Sequence, residues 1–365
     1  MSITQDAVLA ALSTVEEPDL KKDLVNLGMI RDVVVEGRAV AFTVVLTTPA
    51  CPLKELIRQR CVTAIQRDLG EDVEVAVQME AETTSPHKTI AQGGASQVKN
   101  FVAVASGKGG VGKSTVAANL AVALAESGAR VGLLDIDVYG PSVPVMFGIP
   151  ADEKPRVDDE RKIIPLVRYG VKLLSMGFLV DPTNAVVWRG PMASSAVKQF
   201  VNDAVCGELD YLILDLPPGT GDIQLTLVQT IPVTGAVIVS TPQAVALADA
   251  RKGVAMFEKT GVPVLGIVEN MAYFSPPDLP DRKYFLFGEA GAQRLAAEMG
   301  VPVLAEVPIE QETREAGDLG APVVVRQPDL ASSEVFRGLA GRVAREVAIR
   351  NAEAPATQPI EILHR

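Results

Sequence analysis

The sequence predicts an α/β protein: a mostly parallel sheet covered by helices on both faces, preceded by a small α+β domain. Three observations carry this. From Asn100 onward, apolar runs of strand length alternate with helical stretches, as in parallel sheets built with crossover helices. One strand-to-helix junction, Gly107-Lys108-Gly109-Gly110-Val111-Gly112-Lys113-Ser114-Thr115, contains a complete G-x-x-x-x-G-K-[ST] loop, which requires a strand before it and a helix after it. Hydrophobic residues make up 48% of the chain but aromatic residues only 4%, which favours the aliphatic packing of buried parallel strands.

Taken in order, residues 1–80 read as the small α+β domain. Thr4–Leu12 is expected to form a short helix. Met29–Val35 and Ala39–Leu46 read as strands around a hairpin at Glu36-Gly37-Arg38. Pro52–Leu69 reads as a helix with proline in its favoured first position, and Val73, Val75 and Val77 alternate as in a strand. Residues 81–98 are small and polar and read as a flexible linker. The large domain is expected over 99–350, with strands at 101–106, 130–136, 171–176, 210–215, 235–240, 263–269 and 301–306. The helix after the glycine loop should run from Ser114 to Ser127 and stop at Gly128. Residues 351–365 carry no core pattern and read as a mobile tail.

Composition excludes several classes. The 34 basic residues are outnumbered by 45 acidic ones, a net charge of −11, the opposite of what a non-specific nucleic-acid binder shows. No apolar run approaches a membrane span, and the N-terminus lacks the basic and apolar segments of a signal peptide, so a cytoplasmic protein is expected. Three widely spaced cysteines make no disulfide framework. With only two histidines, His87 and His364, Ser-His-Asp catalysis and histidine-built zinc sites are not expected.

The loop carries the chemistry. Its glycines, Gly107, Gly109, Gly110 and Gly112, allow backbone N–H groups to turn inward and make an anion nest at a helix N-terminus. Lys113 is expected on the β- and γ-phosphates of a nucleotide and the Ser114 hydroxyl on Mg²⁺. Val131–Asp137 reads as a buried strand ending in two carboxylates. Asp135 is expected on the Mg²⁺ side of the site, directly or behind it, and Asp137 is expected to position or deprotonate the attacking water. Tyr211–Asp215 is a second apolar strand ending in a carboxylate, with Asp215 expected to hold Mg²⁺. Gly219 is expected to offer its N–H to the γ-phosphate, and Asn270 to meet the adenine edge. Arg189 reads equally as a γ-phosphate contact, a partner contact or a surface charge. Lys108 is a second loop lysine with no task in its own loop. A cation there suits a dimer interface, where it would neutralise the partner's phosphates.

Lys108–Thr115, Asp135-Ile136-Asp137, Asp215-Leu216-Pro217-Pro218-Gly219-Thr220-Gly221-Asp222 and Glu269-Asn270-Met271 together resemble the Mrp/ApbC family of P-loop ATPases, in the deviant Walker A group. The resemblance covers about 100–345 and implies a P-loop NTPase fold, ATP with Mg²⁺, slow hydrolysis, a homodimer joined across Lys108, and carriage of iron–sulfur clusters to apoprotein clients and from scaffold proteins. Glu17-Pro18-Asp19-Leu20, Asn26–Ile30 and Thr47–Pro52 resemble the metal–sulfur cluster biosynthesis domain often fused ahead of it. In many members a Cys-x-x-Cys follows the Glu-Asn-Met motif; here the segment is Tyr273-Phe274-Ser275-Pro276-Pro277-Asp278-Leu279-Pro280. Cys51, expected at a helix N-terminus that stabilises thiolate, is then the candidate iron–sulfur or sulfur ligand. Cys61 is expected in the core, and Cys206 is expected to end a helix in a structural role. Two alternatives are a partition- or septum-type spatial organiser and a nucleotide-gated scaffold.

Overall fold

The computed structural model describes residues 3–85, 96–138, 140–178 and 190–353. Most of the expected linker, with His87, lies outside the described residues, as do Tyr139, Arg189 and the tail beyond 353, with His364. The described chain forms two compact units, residues 3–84 with 344–353, and residues 85–343.

In the small unit, helix α1 (Gln5–Leu12) is capped by the Thr4 hydroxyl, which accepts from Ala7 N. Strands β1 (Ile30–Glu36) and β2 (Ala39–Leu46) pair antiparallel with Glu36 opposite Ala39, leaving a two-residue turn at Gly37-Arg38. Gly37 has φ +65°, the left-handed conformation such turns need. Helix α2 (Lys54–Leu69) crosses over to β3 (Glu74–Ala81), which lies parallel to β2. Val40, Phe42, Val44 and Leu46, alternate residues of β2, pack with Val8 and Leu12 of α1 and with Ile57, Cys61 and Ile65 of α2. Cys61 is thus a core residue, as expected. Pro52 is not: it precedes α2 in a turn closed by Lys54 N on Cys51 O, and Leu53 occupies the cap. Proline suits the second position of a turn as well as the first of a helix, and here the turn prevails.

In the large unit all seven expected strands form, as β4 (Val98–Ala105), β5 (Val131–Asp135), β7 (Val171–Ser175), β8 (Leu209–Asp215), β9 (Gly235–Ser240), β10 (Val264–Phe274) and β11 (Val303–Ile309). A short strand unseen in the sequence, β6 (Leu166–Arg168), adds an antiparallel edge. The order is β6-β7-β5-β8-β4-β9-β10-β11, parallel apart from β6. Among the connecting helices are α3 (Lys113–Glu126), α4 (Gly190–Asp203), α5 (Asp222–Thr230), α6 (Ala244–Lys259) and α7 (Gly291–Met299). Every residue of β8 is buried, and each large aliphatic side chain so enclosed contributes roughly 1.5–3 kcal/mol. Parallel register brings the carboxyl ends of neighbouring strands to one rim, where ligands of such sheets bind: Ser175 lies opposite Asp135, and Asp135 opposite Asp215.

Candidate active site

The chain leaves β4 at Ala105 and enters α3 at Lys113, and the loop between is held from three directions. A Cβ on Gly107 would stand 2.2 Å from the Asp249 carbonyl carbon in α6, so only glycine fits there. Gly112 is the left-handed N-cap of α3, φ +82°, and a Cβ on it would meet the Asn270 amide nitrogen at 2.1 Å. Asn270 Nδ2 donates to Val111 O at 2.8 Å, and Ser106 Oγ donates to Lys108 O at 3.0 Å. Asn270, expected on an adenine edge, also braces the loop: the end of β10 lies against Gly112, and one N–H of its amide is used inside the chain. Gly110 also has φ +82°, while Ser114 and Thr115 sit half-buried in the first turn of α3.

Beneath the loop, charges converge. Lys113 is 6% exposed; its Nζ lies 2.6 Å from Asp215 Oδ1, 3.1 Å from Ser114 Oγ and 3.7 Å from Asp137 Oδ2. Asp215 is fully buried. Burial pushes its carboxyl up, the Lys113 ammonium holds it down, and its Oδ2 makes no hydrogen bond among the described residues. Asp135, equally buried, is pushed up to about 7 by burial first and by the Asp215 charge second. Its oxygens accept from Asp137 N (3.1 Å), Val143 N (3.2 Å) and Ser175 Oγ (2.8 Å). Asp135, expected on the Mg²⁺ side or behind it, lies beside Asp215 and also holds the turn that carries Asp137. Asp137 is nearly buried, with Oδ1 accepting from Gly140 N at 3.2 Å and Oδ2 facing Lys113.

Gly219, φ +98°, donates its N–H to Ser106 O at 2.8 Å and so closes its turn onto the loop. Gln224, which sequence reasoning missed, is 4% exposed and donates from Nε2 to Pro217 O (3.1 Å) and Pro218 O (2.7 Å). The only signal for it was a polar residue set between Ile223 and Leu225 in the first turn of α5. Ser175 was missed too, because strand register alone brings it to Asp135, and so was Ser106, whose hydroxyl turns back onto the loop at Lys108 O. Lys108 is half-buried, and its side chain makes no ion pair or hydrogen bond among the described residues.

Cys51 belongs to the small unit. Two residues separate it from α2, and it is half-buried against the apolar core. Burial raises its thiol and the Glu17 and Asp19 charges raise it further, against the Leu53 N–H and the Arg345 cation, which hold it down. The lowered pKa expected from a helix N-terminus is not what the site shows: burial and the Glu17 and Asp19 charges outweigh the Leu53 N–H, and the turn at Pro52 sets the cysteine two residues ahead of α2. Burial lifts Cys61 to about 12 and Cys206 to about 11. Cys206 lies beyond the end of α4 rather than ending it, and its carbonyl accepts from Lys172 Nζ at 2.7 Å. Among the described residues no group of three or more His, Cys, Asp or Glu side chains is placed to hold a metal ion. No described helix is long and apolar enough to cross a membrane.

Residues 97–344 match the family described as the NUBPL iron-transfer P-loop NTPase, and residues 5–78 match the iron-sulfur cluster assembly protein family. The iron-sulfur cluster carrier protein of Synechocystis is 51% identical over 95% of this chain and 99% of its own length. The protein of the same name from Deinococcus radiodurans is 46% identical over 97% of this chain and 99% of its own. Among solved structures, a nucleotide-binding protein from Archaeoglobus fulgidus in complex with ADP superimposes with TM-score 0.57 at 42% identity, over 66% of this chain and 93% of that one.

Proposed function

The chain belongs to the family of iron-transfer P-loop NTPases, and on that premise we propose that ATP binding and hydrolysis at the glycine loop drive the passage of iron–sulfur clusters to apoproteins. The observation that carries the reading is the buried meeting of Lys113, Asp137 and Asp215 under a loop that only glycines can build.

The site's residues suit Mg²⁺: Asp215 Oδ2 is buried without a hydrogen-bond partner among the described residues and the Ser114 hydroxyl lies beside the same ammonium, a pair of hard oxygen ligands. When bound, the ion neutralises charge developing on the phosphates. The chain supplies the rest. Loop N–H groups and Lys113 take the phosphates; as Lys113 turns to them it leaves Asp215 free for its ligand role. Asp137 accepts a proton from the water whose oxygen bonds to the γ-phosphorus, while the bond from that phosphorus to the β–γ bridging oxygen breaks and ADP leaves. Asn270 and Ser106 keep the loop in place during this. Lys108, without a partner in its own chain among the described residues, is placed across a homodimer interface against the second subunit's nucleotide.

The cluster is cargo. A cluster takes about four thiolates, and this chain has three cysteines, two of them buried and strongly raised. These do not make a resident ligand set. Cys51 is the only thiol that is not fully buried, and it is the chain's own contact with the cargo. Anaerobic reconstitution of wild type and Cys51→Ala, followed by iron counting and transfer to an apoprotein, tests this. The expected result is iron well below one cluster per dimer, lowered further by Cys51→Ala, with transfer that depends on ATP. A full cluster per dimer that is untouched by Cys51→Ala would overturn the cargo reading.

A further inference from the structure

The turn after Asp215 contains Pro217 and Pro218, which have no N–H, so it cannot be fixed by its own backbone donors there. It is fixed at two points instead. Gly219 N–H reaches Ser106 O in the glycine loop, at 2.8 Å. The buried Gln224 side chain, from the first turn of α5, donates to Pro217 O and Pro218 O at 3.1 and 2.7 Å. The same amide lines Gly219 and Gly221, where a Cβ would stand 3.8 Å from Nε2 and 3.5 Å from Oε1. One anchor therefore belongs to the nucleotide loop and the other to a helix.

We infer that Gln224 is a positioning residue that makes the Pro217–Gly221 turn and helix α5 one moving body, so that nucleotide at the loop is felt along α5. The inference rests on the nucleotide reading above. A γ-phosphate that takes the Gly219 amide must break the bond to Ser106, because a single N–H serves one strong acceptor at a time. The Gln224 bonds are not in competition with the phosphate. They persist, and the helix follows the turn instead of detaching from it. In the reverse direction, a partner that shifts α5 moves Gly219 relative to the loop.

Amide hydrogen exchange over 222–231 in full-length wild type, with a non-hydrolysable ATP analogue and then with ADP, gives the first readout. Exchange in α5 should differ between the two nucleotides. Gln224→Met keeps the side chain's length and burial but removes both donors. It should bind nucleotide within about twofold of wild type, lose the difference in α5, and lose about 10- to 100-fold in kcat with KM for ATP little changed, the cost of a misplaced reacting group. A purely structural role would lower the melting temperature while leaving the kcat-to-KM balance and the exchange difference intact, and that result would overturn the inference. So would unchanged exchange in α5 of nucleotide-bound wild type, which decides the matter even if the variant does not fold. Failure of wild type to bind nucleotide at all would instead overturn the reading on which this one stands.

Discussion

At Gly107–Thr115 the chain turns into one helix, and at Cys51 it approaches another; the two junctions differ in what the rest of the fold delivers to them. To the first, parallel register brings Asp215 opposite Asp135, and Lys113 enters from α3 to balance both Asp215 and Asp137. To the second come Glu17 and Asp19, charges of the same sign as a thiolate, with Asp19 itself paired to Arg345 at 2.6 Å. A position near a helix start does not activate a group. Opposite charge from other elements does: Lys113 faces Asp215 and Asp137, whereas at Cys51 the Arg345 cation is outweighed by burial and the two carboxylates.

The comparison can be broken at several points. Lys108→Ala should lower ATP hydrolysis most, about 10³-fold or more, with the melting temperature unchanged, since its side chain supports nothing in its own chain among the described residues. Steady-state phosphate release and a thermal melt check both halves of that statement. Lys113→Ala should cost about 10²–10³-fold in the same assay. It should also destabilise the nucleotide-free protein, because Asp215 is left fully buried without its cation, a loss of roughly 3–5 kcal/mol before protonation relieves it. A Lys113→Ala protein as stable as wild type would mean that the buried pair is not what balances Asp215.

The thiols give a smaller, pH-dependent contrast. Burial disfavours the charged thiolate, so a raised pKa moves reactivity to higher pH. With Cys61 near 12 and Cys206 near 11, native protein at pH 8 should alkylate at Cys51 alone. Because Cys51 is raised as well, its rate should still be climbing above pH 9. Mass spectrometry after brief labelling reads this, and fast labelling of Cys51 at pH 7 would restore the activated thiolate. The smallest effect expected is that of Cys51→Ala on ATP hydrolysis, under about twofold, because the two sites share no residue.

The sequence showed the large unit best where strands are buried on both faces. Runs such as Tyr211–Leu214 have no alternation to confuse them, and all seven expected strands form. Leu166–Arg168 escaped because three residues at a sheet edge leave no pattern. The glycine loop was legible because its chemistry lies in the backbone and so in the spacing. The contacts that Asp135, Gly219 and Asn270 make within the chain were not, because each depends on what another strand or loop places against it: Ser175, Ser106 and Val111 respectively. Pro52 was misread for a local reason, two turn chemistries sharing one residue type.

Cluster transfer from a loaded scaffold protein to an apoprotein with a [4Fe–4S] site, followed by absorbance with and without ATP, tests the central claim most directly. ATP should accelerate transfer by wild type, and Lys113→Ala should abolish that acceleration while keeping whatever transfer occurs without nucleotide. Lys113→Ala transferring as fast as wild type in ATP would contradict the account, because the buried charges under the glycine loop would then have no part in moving the cargo.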